Sequence, residues 1–123
     1  MTREIKIPDA THPITVEPTP GRVVVRAAGK VIAESTAALT LRESSYPPVQ
    51  YVPIADVDPS VLKASETKTY CPFKGEASYY TLAVGQQELT DAVWTYETPY
   101  DAVGEIASHV AFYPNQVDIT VAG

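Results

Sequence analysis

Alternating apolar and polar positions recur along the chain and predict strands. The odd-numbered positions of the run AALTLRE are apolar and end in the carboxylate of Glu43. The terminal run VDITVAG alternates in the same way. Because burying an unpaired carboxylate is costly, Glu43 is expected at the rim of the core or in a polar pocket. Structural pairing with a nearby basic residue explains its position equally well.

Turn residues divide the chain into about eight strands. The run RVVVRAAGKVIAEST predicts a hairpin that turns near Gly29 and Lys30. The run CPFKG predicts a second turn, in which Pro72 fixes φ and Gly75 is free to adopt a positive φ. The proline-interrupted run SSYPPVQYVPI is predicted to be an edge strand or a wall.

Two short helices complete the predicted elements. Asp58 is a suitable N-cap with Pro59 at the first helical position, which predicts a short helix over PSVLKA. The run TPYD has the form of a capping box, and the apolar residues that follow at helical spacing predict one or two turns. The pattern as a whole predicts a mainly β fold, either an open barrel or two packed antiparallel sheets.

The length of 123 residues fits a single domain. We expect residues 1–12 to form a loosely held arm and residues 13–123 to form the β domain. The N-terminus lacks the apolar run of a signal peptide, and no stretch reaches the ~20 apolar residues that cross a bilayer. A cytoplasmic protein that does not bind membranes is therefore expected.

Charge and cysteine content narrow the function classes. The net charge of -6 disfavours nucleic-acid binding, which needs a basic face. A single cysteine excludes an internal disulfide and a four-thiolate zinc site. The sequence lacks GxGxxG, GxxxxGK[ST], GxSxG and HExxH. We predict no metal and no cofactor.

The cysteine itself, Cys71, allows two interpretations. It is either a small buried apolar residue or a reactive thiol. In the second interpretation, the ammonium of Lys74 would favour the thiolate form of Cys71, and His109 would shuttle the proton of the thiol. His12 lies in the expected arm and is a poor candidate for that role.

The aromatic residues suggest a pocket. The chain has eight tyrosines and one tryptophan but only two phenylalanines. Aromatic residues with a polar tip suit a wall that must be apolar and still form hydrogen bonds, although such a set is also compatible with a core. The predicted lining comprises Tyr51, Tyr79, Trp94 and Tyr96, with Glu43 and Lys74 fixing polar groups of a ligand.

Five segments together identify a family: GKVIAEST, LRESSYPPVQYVPIADV, TYCPFKGEASYY, AVWTYETP and HVAFYPNQVDI. They resemble the bacterial domain of unknown function 427 (DUF427) family over residues 22–121. The resemblance implies a β-tent-like fold, two antiparallel sheets meeting at an angle with a ligand groove beside one of them. Many members of the wider β-tent group hold zinc between two cysteine pairs, which this chain lacks. A nucleotidyltransferase-like label is also attached to the family, but no carboxylate constellation for a metal supports it here.

The family's motif positions add Asp56 to the expected ligand-binding residues. These positions correspond to Glu43, Tyr51, Pro53, Asp56, Cys71, Pro72, Lys74, Gly75, Tyr79, Trp94, Tyr96 and Phe112. Three functions follow as hypotheses: a module that binds a small polar or aromatic metabolite, a cysteine-dependent enzyme, and a protein-interaction module with an exposed tyrosine patch. The sequence does not indicate the oligomeric state.

Overall fold

The computed structural model describes residues 3–122 and contains ten strands and three 3₁₀ segments. Met1 and Thr2 of the expected arm, and Gly123 of the last predicted strand, lie outside the described residues. The strands are β1 Ile14–Pro18, β2 Arg22–Ala27, β3 Lys30–Ser35, β4 Leu39–Glu43, β5 Val49–Pro53, β6 Leu62–Cys71, β7 Gly75–Val84, β8 Gln87–Thr95, β9 His109–Phe112 and β10 Asp118–Ala122.

The strands form two antiparallel sheets, which confirms the predicted fold class. The larger sheet has seven strands in the order β1-β4-β5-β9-β8-β7-β6, and the smaller sheet has the order β10-β2-β3. The hairpins β2–β3, β6–β7 and β7–β8 join neighbouring strands through the turns that glycine marks in the sequence. Of the two predicted alternatives, two packed sheets describe the fold.

Strand β5 lies inside the large sheet, so the prediction of an edge strand is wrong. It is hydrogen-bonded to β4 on one side and to β9 on the other. Its prolines do not interrupt either ladder because Pro47 and Pro48 precede the strand and Pro53 is its last residue. A proline at the end of a strand removes few ladder hydrogen bonds, so it is compatible with an interior position.

The first predicted helix is shorter than expected, whereas the second covers Asp101–Ile106 and has the predicted one or two turns. A 3₁₀ segment covers Pro59–Val61, and the next residue, Leu62, already begins β6. Asp58 does cap this segment, since its carboxylate accepts a hydrogen bond of 2.9 Å from the backbone N–H of Ser60. The other two 3₁₀ segments cover Ile54–Asp56 and Asp101–Ile106. The described helical segments span three to six residues, and none of them is long and apolar enough to cross a membrane.

The capping box predicted before the last helical segment does not form. Tyr100 is the N-cap residue and makes no capping hydrogen bond with its side chain. Its backbone N–H instead donates to the carbonyl of Lys74 at 3.0 Å, which holds this segment against the β6–β7 turn. A tertiary hydrogen bond therefore replaces the local one that the sequence pattern predicted.

Two clusters of buried residues form the core, one on each face of the large sheet. The first lies between the two sheets and includes Val25, Ile32, Leu82, Val93 and Val110. The second lies on the opposite face, where the kinked segment Asp101–Ile106 covers part of the sheet. The second cluster comprises Leu41, Tyr51, Ala77, Tyr96, Val103, Ile106 and Ala111.

The described part of the N-terminal arm lies along the β6–β7 hairpin. The backbone N–H of Lys6 donates to the carbonyl of Pro72 at 2.9 Å. The guanidinium of Arg3 pairs with Glu76 at 3.2 Å and stacks over the ring of Tyr70. Most side chains of the arm are exposed, so it is held to the hairpin by contacts of this kind and not by a buried core of its own.

Candidate functional site

A cavity of about 190 Å³ opens on the face of the large sheet that carries the second core cluster. Its walls come from β4, β5, β7 and β8 and from the loops that follow β4, β6, β8 and β9. The lining residues are aromatic or apolar except for one ion pair. They are Leu41, Glu43, Tyr46, Pro47, Val49, Tyr51, Lys74, Tyr79, Trp94, Tyr96 and Tyr113.

The aromatic floor is set by strand register. Tyr79 on β7 is paired with Trp94 on β8, which is paired with Ala111 on β9. Tyr51 on β5 precedes Val52, whose partner is Val110, so Tyr51 flanks Ala111 from the other side. Because alanine is small, the indole and the phenol meet above it. Trp94 Nε1 donates to the Tyr51 hydroxyl at 3.2 Å, and the two rings are nearly perpendicular at 88°.

An ion pair crosses one side of the cavity. Lys74, from the β6–β7 turn, donates to Oε1 of Glu43 at the end of β4. These elements belong to opposite flanks of the seven-stranded sheet, so the sheet must curve for them to meet. The Lys74 residue is only 8% exposed. Its charge is therefore balanced mainly by Glu43 and only weakly by water.

A histidine contacts the second oxygen of the Glu43 carboxylate. His12 Nε2 lies 2.7 Å from Oε2 of Glu43, and its ring stacks on Phe73 with 4.1 Å between centroids. Lys74 Nζ also lies 3.8 Å from the sulfur of Cys71. A continuous polar chain thus runs from Cys71 through Lys74 and Glu43 to His12.

Burial and hydrogen bonding act in opposite directions on the Glu43 carboxyl. Burial raises its pKa, but the hydrogen bonds from Lys74 and His12, together with their charges, outweigh burial, and the pKa is lowered from its ordinary value of 4.5. The carboxylate is therefore ionised at neutral pH. The site contains an ammonium–carboxylate pair with no net charge.

Acid should remove the contribution of Glu43 to stability. Because the pKa is lower in the folded than in the unfolded chain, this contribution is complete above about pH 4.5 and is lost as the pH falls through the folded value. We expect the free energies of unfolding of the wild type and of Glu43→Gln to converge as the pH falls below about 4.5 and through the lowered folded value. Urea unfolding as a function of pH measures the difference. A difference that stays constant down to the lowest pH at which the domain is still folded would contradict the assignment.

Tyr96 presents a polar group to the cavity. The residue is 7% exposed and lines the cavity, and burial raises the pKa of its hydroxyl above the ordinary value. Among residues 3–122 this hydroxyl has no hydrogen-bond partner, whereas the Tyr51 hydroxyl accepts from Trp94. Buried tyrosine hydroxyls usually find a partner. The free hydroxyl of Tyr96 is thus available to a molecule in the cavity.

Comparison with models of known protein families shows to which family the chain belongs. The model described as a domain of unknown function, DUF427, matches residues 15–123. The chain belongs to the DUF427 family. The resemblance seen in the sequence is thereby confirmed, and the matched region includes every strand except the first residue of β1. A search of curated proteins found no match.

The structure brings most of the expected site residues of this DUF427 domain together. The residues that line one cavity are Glu43, Tyr51, Lys74, Tyr79, Trp94 and Tyr96. Cys71 does not line it but packs with the second core cluster, in contact with Lys74. Its half-buried position is compatible with packing.

Two expected residues lie elsewhere. Asp56 accepts a hydrogen bond of 2.6 Å from Ser35 and borders a polar groove beside Arg22. His109 begins β9, and its Nδ1 lies 2.8 Å from the carbonyl of Ala107. Strands β7 and β8 separate β9 from β6, where Cys71 lies. His109 and Cys71 are not hydrogen-bonded to each other in the part of the chain that the structure describes, and Asp56 does not line the aromatic cavity.

The sequence did not predict all residues of the site. His12 lies in the expected arm and was not predicted to belong to the site, yet it contacts Glu43. Tyr46 and Tyr113 line the cavity, and nothing in their local patterns distinguishes them from other loop tyrosines. The stack of His12 on Phe73 depends on the curvature of the whole sheet, which local sequence does not encode.

Residues 3–122 contain no cluster of three or more histidine, cysteine, aspartate or glutamate side chains arranged to hold a metal ion. The groups that border the cavity include tyrosine hydroxyls, an indole and one ion pair, and one thiol lies close to that pair.

Proposed function

We propose that this DUF427 domain binds a small, uncharged, planar molecule with a polar substituent in the aromatic cavity. The observation that carries the proposal is the hydroxyl of Tyr96, a mostly buried residue that lines the cavity and makes no side-chain hydrogen bond among the described residues. A bound molecule would supply the missing hydrogen bond. An aromatic wall with a few convergent polar groups is the usual form of a small-molecule site.

The volume of the cavity limits the size of the ligand. Sites for drug-sized molecules usually measure roughly 300–1,000 Å³. The cavity of this domain measures about 190 Å³, which lies below this range. A small molecule with a single substituted ring suits a cavity of this size.

The charges at the cavity favour an uncharged ligand. Glu43 already neutralises Lys74, and both side chains are mostly buried. A charged ligand would be desolvated without a free opposite charge to pair with it. A carbonyl or hydroxyl group can instead use Tyr96 and the hydroxyl proton of Tyr51, whose oxygen accepts from Trp94.

The arrangement of the cysteine gives less support to an enzyme. Cys71 has a cation 3.8 Å away, but that cation is paired with Glu43 and the expected base, His109, bonds to Ala107. The aromatic residues also line a concavity instead of forming an exposed patch, which favours a small ligand over a protein partner.

Binding should depend on Tyr96 and Trp94. A screen of single-ring phenols, benzamides and pyridones, followed by thermal shift and tryptophan fluorescence, should yield ligands of the cavity. Tyr96→Phe should weaken them about fivefold through the loss of one hydrogen bond, and Trp94→Ala should abolish binding.

Tyr80→Phe is the matched control, because Tyr80 lies beside Tyr79 on β7 but packs against the other face of the sheet. It should leave the affinity unchanged. Ligands that bind equally well to the wild type and to both site variants would show that the cavity is not the binding site.

A further inference from the structure

A second, strongly apolar cavity adjoins the aromatic one. It measures about 400 Å³ and is lined by residues of β5, β8, β9 and β10 and of the loops next to them. Four residues, Tyr46, Pro47, Val49 and Trp94, line both cavities. The residues that line only the second cavity are Pro48, Gln50, Phe112, Pro114 and Ile119. We refer to this second cavity as the proline groove.

The proline groove forms where two neighbouring strands separate. The β5–β9 ladder contains two residue pairs, Val52 with Val110 and Pro53 with His109. Toward Gln50 and Phe112 the ladder stops, although both strands continue. The indole of Trp94 lies at this separation, and its ring packs on Tyr113 with 4.6 Å between centroids.

The composition of the groove explains why it suits an apolar group. Three of its wall residues are prolines, which carry no backbone N–H and so leave no donor that requires water. Ile119 of the small sheet and Phe112 of the large sheet add apolar surface from opposite sides. The groove therefore contrasts with the aromatic cavity, which contains the Lys74–Glu43 pair.

We propose that the two cavities form one site for a single amphiphilic small molecule. Its uncharged planar head would occupy the aromatic cavity, and its alkyl tail would lie in the proline groove. Four residues, including Trp94, border both volumes, and the polar and apolar walls match the two ends of such a molecule. This inference rests on the proposed function, because the head binds where that function places the ligand.

The test uses alkyl esters of 4-hydroxybenzoate, from methyl to pentyl, as probes of the whole domain. The affinity should increase with tail length by about two- to fourfold for each methylene, as expected for burial of apolar surface. Isothermal titration calorimetry and the fluorescence of Trp94 measure the dissociation constants.

Variants separate the two halves of the site. Ile119→Thr keeps the β-branched shape of the strand residue and should weaken the dependence on tail length, as should Pro48→Ser, which lies outside the sheets. Neither should change the affinity for the methyl ester by more than about twofold. Tyr96→Phe should weaken every ester by the same factor.

The outcomes distinguish this inference from the proposed function. Affinities that depend on Tyr96 but not on tail length would overturn the two-part site and leave the proposed function intact. A tail dependence that Tyr96→Phe leaves untouched would reduce the site to the groove alone and overturn the inference. Failure of every ester to bind at millimolar concentration would overturn both.

Discussion

Replacing Glu43 with glutamine should destabilise the domain by about 2–3 kcal/mol. The substitution keeps the shape of the side chain but leaves the ammonium of Lys74 buried without its counter-charge. Lys74→Met should be destabilising for the converse reason, although His12 remains beside Glu43 and reduces the cost. Urea unfolding monitored by circular dichroism measures both changes.

The double variant is the decisive measurement. Glu43→Gln combined with Lys74→Met removes both charges, so the double variant should lose much less free energy of unfolding than the sum of the two single losses. The exposed pair Lys63–Glu88 is the matched control, at 3.2 Å with side chains 65% and 57% exposed. Glu88→Gln should change stability by less than about 0.5 kcal/mol. Strict additivity at Glu43 and Lys74 would show that the two residues are not coupled.

Replacing Gly75 with alanine should cost on the order of 2 kcal/mol. Gly75 has a φ of +112°, which L residues rarely adopt, and a Cβ there would lie 3.5 Å from the carbonyl oxygen of Thr98. Relief of the strain would shift the neighbouring carbonyl of Lys74, which accepts the hydrogen bond from Tyr100. The substitution should therefore also lower the affinity for cavity ligands, because it moves Lys74.

Gly104→Ala is the control for this substitution. A Cβ at Gly104 meets nothing within 4 Å, and no positive φ is recorded there. Differential scanning calorimetry should show a clearly lower melting temperature for Gly75→Ala and almost none of that shift for Gly104→Ala. Equal shifts would mean that the conformation of the β6–β7 turn does not require glycine.

The strands were predictable because their signals are local. Alternation located Glu43 at the end of an apolar strand face, and Pro72 with Gly75 located the β6–β7 turn. These features arise from side-chain period and backbone preference, which short segments encode. The same local signals predict too long a helix after Asp58, because Asp58 and Pro59 begin a helical turn whose continuation the pairing of β6 with β7 prevents.

The site was only partly predictable from the sequence because it depends on the strand order and the curvature of the seven-stranded sheet. Tyr51 and Trp94 are far apart in sequence and meet only because Ala111 lies between them in the register. The contact between Lys74 and Glu43 requires the flanks of a seven-stranded sheet to approach each other. The placement of His109 away from Cys71 follows from strand order, which a single sequence does not specify.

The contact between His12 and Glu43 has a consequence for how the domain is delimited. The region shared with the family begins at residue 15, so His12 lies upstream of it, while Glu43 lies inside it. A fragment cut at the family boundary would retain nearly all of β1 and all later strands but would leave one carboxylate oxygen of Glu43 without its histidine. The residues that match the family and the residues that complete the contacts of Glu43 thus have different limits in this protein.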